Sequence, residues 1–163
     1  MLKKLNESDK LNLKDSLLQG IVEKIDYCIR FFLQVIYSSI KNLMLVDEKL
    51  TDSEIIEATY QKIIEGKQFN TWIERIKEQY GKLEKPAFII LKHISKDKKG
   101  IKRKNLLQQM NKSMRDKDPQ LAEETLTMVL RLLINDGYLM KNDKLYLFRS
   151  PLIRDFWFNR FVK

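Results

Sequence analysis

Apolar residues recur at helical spacing through most of the chain and switch to a strand-like run only near its end. Leu13, Leu17, Leu18, Ile21, Val22 and Ile25 predict an amphipathic helix from about Asn12. Gly20 inside it costs roughly 1 kcal/mol relative to alanine. The stretch Tyr27–Met44 is apolar nearly all round, with Ile29, Phe31, Phe32, Leu33, Val35, Ile36, Tyr37, Ile40 and Leu43, and predicts the central helix of a first core. Thr51-Asp52-Ser53-Glu54 has the form of a capping box, and the helix it starts should stop at Gly66. Phe69, Trp72, Ile73, Ile76 and Tyr80 share one side of a fourth helix that Gly81 ends.

The second half reads differently. Pro86 opens a helix through Phe88, Ile89, Leu91, His93 and Ile94, and Lys96–Gly100 is a loop. Ile101–Met110 predicts a short helix, and Asn111–Asp118 a polar loop. Pro119–Asn135 is a longer helix closed by Asp136-Gly137, the glycine in the left-handed position. Tyr138–Met140 and Leu145–Phe148 predict two strands joined by Lys141-Asn142-Asp143-Lys144. Ser150 as N-cap and Pro151 at the first helical position then start an aromatic-rich terminal helix. Three helices followed by a hairpin is the order of a winged helix. The expected fold is mainly α: a helical, lid-like bundle over residues 1–80, then a winged helix-turn-helix with a short β-hairpin over 82–163. The boundary falls in Gly81–Lys85, and the two parts are expected to pack together through Trp72, Tyr80 and the C-terminal aromatics.

Charge sharpens that division. The net charge is +9. Residues 1–80 hold 12 basic and 13 acidic side chains, whereas 81–163 hold 19 and 9. The excess positive charge therefore lies in the second part and points to an anionic partner. A lone cysteine, Cys28, excludes an internal disulfide and suits a reducing compartment. The N-terminus has no apolar core of a signal peptide, and Arg30, Gln34, Lys41 and Asn42 interrupt the longest apolar stretch, so no membrane span is expected.

Few residues carry candidate chemistry. Cys28 and His93 form a conceivable nucleophilic pair, but both sit among apolar neighbours and read as structural. One His and one Cys cannot supply a metal site, and no cofactor is implied. Glu123 and Glu124 are neighbours on a helix, point apart and read as solvated surface. The aromatics Phe156, Trp157, Phe158 and Phe161 could stack on bases but read better as core. The strongest signal is a basic stretch. Lys96, Lys98, Lys99, Lys102, Arg103, Lys104, Lys112 and Arg115 are the candidates for phosphate contact. The presumed recognition helix opposes base readout, because it presents Glu123, Glu124, Thr127 and Met128, with Arg131 its one suitable donor. The partner on this reading is non-specific nucleic acid or an acidic protein surface.

Three phrases carry a family resemblance. Leu145–Phe158 reads L-Y-L-F-R-S-P-L-I-R-D-F-W-F and resembles the ending Y-x-F-R-S-P-L-L-R-x-W-W of the winged helix in prokaryotic AAA+/STAND-type P-loop ATPases. Thr51–Ala58 resembles their lid phrase I-T-E-E-D-V-E-E-A, and Ile29–Gln34 their I-P-F-Y-I-Q, with Arg30 where the family usually has proline. The phrases stand in the family's order and span about residues 12–163. The resemblance implies a lid plus winged helix that couples nucleotide state to a partner, alongside an upstream P-loop domain. It also makes Arg30 a candidate to sense nucleotide phosphates, with a surface or capping role as the alternative. No G-x-x-x-x-G-K-[ST] occurs in the chain: Gly66-Lys67 and Gly81-Lys82 are followed by Gln68 and Leu83. The expectation is therefore a non-catalytic, cytoplasmic C-terminal region of such an ATPase. The alternative is a free-standing winged-helix DNA-binding regulator with a helical interaction domain.

Overall fold

A computed structural model describes residues 14–25, 33–46, 50–114 and 119–163. The fold is mainly α, a helical bundle followed by a winged helix with a small antiparallel sheet. The chain divides into two compact units, 1–66 and 67–163.

In the first unit, α1 (Asp15–Lys24), α2 (Leu33–Val46) and α3 (Asp52–Glu65) form the bundle, with α3 packed on both others. Leu17, Leu18 and Ile21 of α1, with Ile25 just after it, meet Ile36 and Ile40 of α2 and Ile55, Ile63 and Ile64 of α3 in a core dominated by aliphatic side chains. The capping box forms: the Thr51 hydroxyl accepts the Glu54 N–H at 3.3 Å, and the Glu54 carboxylate accepts the Thr51 N–H at 2.8 Å. That backbone hydrogen bond, followed by one from the Thr51 hydroxyl, holds the Glu54 carboxyl below its usual value. Residues 26–32 are outside the described set, and the first turn and a half expected for the central helix fall there.

The second unit begins earlier than the sequence suggests. Helix α4 (Asn70–Gln79) belongs to it, so the division lies at Gly66–Lys67 and not at Gly81–Lys85. Aromatic contacts explain the difference. Phe69 stacks on Phe156 at 4.6 Å, and Trp72 stands edge-on to Tyr138 at 4.8 Å. The Tyr138 hydroxyl donates to the Trp72 carbonyl at 2.6 Å, and the Tyr80 hydroxyl to Asp136 at 2.7 Å. Composition changes at residue 81, but contact between distant aromatics fixes the unit.

The winged helix runs α5 (Glu84–Ile94), β1 (Ile101–Lys102), α6 (Arg103–Ser113), α7 (Pro119–Asn135), β2 (Leu139–Asn142), β3 (Leu145–Phe148) and α8 (Pro151–Phe161). The sheet order is β1-β3-β2, antiparallel throughout, with Ile101 opposite Tyr146 and Met140 opposite Leu147. Ile101 and Lys102 thus form a strand where helix was expected, since two residues have no period of their own and extend only because the edge of β3 receives them. Helix α6 then starts at Arg103 and runs through Ser113 into the expected loop. Pro86 lies within the first turn of α5, which starts at Glu84. The hairpin is tighter than expected, with Asn142 in β2 and Asp143 at φ 51° in a two-residue turn. Gly137 does take the left-handed position, at φ 81°.

Trp157 sits at the centre of this unit, fully buried, with ring centroids of Phe88, Tyr138, Phe148, Phe156 and Phe161 between 5.2 and 6.3 Å away. Of the terminal aromatics, Phe156 and Trp157 are therefore core, Phe161 is half-buried against Trp157, and Phe158 is 38% exposed. Ile90, Leu91 and Ile94 of α5, Leu106 and Met110 of α6 and Leu126, Val129 and Leu133 of α7 complete the interior.

Candidate functional site

The end of α5, the 96–100 loop, β1 and the start of α6 enclose an open cleft of about 730 Å³. Lys96, Lys102 and Lys104 line it, with His93, Asp97 and Asn105. Two features build it. The Asp97 carboxylate accepts the Lys99 N–H at 2.8 Å, which turns the loop back on itself. Gly100 then enters β1 at φ +92°, where a Cβ would stand 2.9 Å from the Tyr146 carbonyl oxygen and 3.0 Å from Leu147 Cβ. Only glycine lets this backbone pass so close to β3, and the pass carries Lys102 to the rim.

The electrostatics are positive. The side chain of His93 is half-buried, and its pKa lies below the ordinary imidazole value, first because burial disfavours the charged ring and then because Lys96 and Lys112 repel it. Lys102 is the N-cap of α6 and makes no side-chain capping hydrogen bond. A lysine cannot accept from the first-turn N–H groups, so the positive end of the α6 dipole adds to the lysines beside it.

The candidates from the sequence separate into groups here. Lys96, Lys102 and Lys104 converge on the cleft, and Lys112 acts on His93 from the last turn of α6. Lys98 and Lys99 are exposed on the adjoining loop but do not line it. Arg103 faces another way. Its guanidinium pairs with Glu123 and donates to the Thr127 hydroxyl at 2.8 Å, tying α6 to α7. The Glu123 hydrogen bond is the leading cause that raises its pKa above the usual guanidinium value. Arg103 is thereby engaged within the protein, and Glu123 has a partner of its own and is not simply solvated surface. Arg30, Arg115 and Cys28 lie outside the described residues.

The exposed side of α7 is poorly suited to bases. Gln120 donates to Glu124 at 3.2 Å, and Leu121 and Met128 are 43% and 58% exposed. Gly100, Asn105 and the cleft itself were missed from sequence. A glycine after four charged residues, just before Ile101-Lys102, was the available signal. Among the described residues no group of His, Cys, Asp or Glu side chains is arranged to hold a metal, and no helix is long and apolar enough to cross a membrane. No protein-family model, curated protein or solved structure matches the chain.

Proposed function

We propose that the chain is the non-catalytic C-terminal region of a STAND/AAA+-type P-loop ATPase, acting in the cytoplasm. Its winged helix passes the nucleotide state of an upstream domain to a partner. The observation that carries the reading is the work done by the phrase Leu145–Phe158. Tyr146 and Phe148 lie buried in β3, Pro151 opens α8, and Leu152, Ile153, Phe156 and Trp157 close the core of the winged helix. A phrase of that type closing a winged helix, placed after a helical bundle, is what the resemblance implies. Hydrolysis would belong to the upstream domain, because phosphoryl transfer depends on a loop and metal that position phosphates.

The test is to read the natural coding sequence upstream of Met1 and to titrate this chain with Mg-ATP by calorimetry. A P-loop upstream and no heat of binding to the isolated chain are expected. Micromolar binding of Mg-ATP by this chain, or an independent promoter and start codon at Met1, would overturn the reading and favour a free-standing regulator.

A further inference from the structure

The basic cleft names a partner for the winged-helix reading and rests on it. Three exposed lysines from three successive elements surround it: Lys96 after α5, Lys102 on β1 and Lys104 in the first turn of α6. The single carboxylate in the lining, Asp97, already accepts a loop amide. The first-turn amides of α6 add donors that Lys102 does not cap. Oxyanions fit such a surface, and lysines meet phosphate as point charges without demanding one orientation. Meanwhile α7 offers Glu124, Met128 and Leu121 outward. We propose that the cleft is a phosphate site that grips the sugar–phosphate backbone of a nucleic acid, with little reading of base sequence.

This arrangement departs from the usual docking, in which the second helix of the helix-turn-helix enters the major groove and reads base edges. Here the contact is made by the loop before β1, by β1 and by the start of α6. Specificity would come from duplex shape and charge, and affinity from counterion release.

Fluorescence anisotropy on two unrelated duplexes at several salt concentrations tests the proposal. Both should bind about equally, with a log–log salt slope of roughly −3 for three lysine contacts at about −0.9 each. Lys102→Ala with Lys104→Ala should make the slope shallower by about 2 and weaken both duplexes alike. Arg131→Ala should change neither. The single histidine supplies an independent readout by NMR. His93 shares the cleft lining with Lys96 and Asp97 on its loop, Lys102 on β1 and Lys104 on α6, and the charge of Lys112 reaches it from the last turn of α6. A phosphate held there offsets the lysines and moves the imidazole midpoint upward.

A parallel titration with inorganic tripolyphosphate separates the sources of phosphate. If tripolyphosphate shifts His93 and neither duplex binds at low salt, the ligand is a free polyphosphate and the nucleic-acid assignment falls. Duplex binding with the slope intact in the double variant, or with His93 unmoved, also overturns the proposal. So does tight binding of one duplex only, lost on Arg131→Ala. None of these outcomes depends on whether a P-loop lies upstream of Met1, so the two readings fail separately.

Discussion

The two units hold themselves together in different ways. The first buries isoleucine and leucine from three helices, and its sharpest polar feature is the exposed capping box at Thr51. The second buries rings around Trp157 and adds long-range hydrogen bonds from Tyr80 and Tyr138. Burial and the neighbouring Asp136 raise the Tyr80 phenol well above its usual range, and burial does the same for Tyr138. Aliphatic packing tolerates change of shape, because volume and pattern matter more than orientation. Ring packing has directions, and a tyrosine whose hydroxyl must reach a particular carbonyl fixes register as well as burial. The unit with the fixed geometry is also the one that presents lysines from three elements to one cleft.

The largest test of this contrast is Trp157→Ala. Removing the central ring should destabilise the second unit by about 3–5 kcal/mol. Both tryptophans of the chain, Trp72 and Trp157, lie in this unit. The emission of the remaining Trp72 therefore follows its unfolding in urea. A midpoint unchanged from Trp157→Phe would show that the ring cluster is peripheral.

A smaller effect is expected from Gly100→Ala. Both its φ of +92° and the close approach to Tyr146 and Leu147 oppose a side chain, and the obstruction is mainly backbone. Strain of this kind costs about 1–3 kcal/mol. A lowered midpoint of thermal unfolding is the expected result. A variant as stable as the parent would mean that β1 does not need this approach to reach β3.

Gly20→Ala in the first unit should have the opposite sign. A Cβ there meets only Ile56, at 2.6 Å from its terminal Cδ1, the far end of a half-buried side chain, so a turn about its outer bond is enough to move that methyl. Alanine gains up to about 1 kcal/mol of helix propensity over glycine, less the cost of moving that methyl. A slight rise in melting temperature is expected. A clear fall would show that the aliphatic core is as intolerant as the aromatic one.

The sequence by itself determined the elements that carry their own signal. Helix α3 was legible from its cap and period, α7 from Pro119 and Gly137, and β3 from Leu145–Phe148, because each is long enough or punctuated enough to be specified locally. It also showed that positive charge gathers after residue 80 and that Phe156 and Trp157 belong inside, whereas Phe158 stays exposed and Phe161 half-buried. Tertiary structure decided what depends on partners distant in the chain. Strand β1 exists because β3 lies beside it, and α4 joined the second unit because Phe69, Trp72 and Tyr80 found Phe156, Tyr138 and Asp136. The same holds for the lysines. Eight basic candidates looked equivalent as a string, yet Lys96, Lys102 and Lys104 share a cleft while Arg103, adjacent to two of them, turns to Glu123. Successive residues at a strand–helix junction point in different directions, and only the fold says what each direction faces.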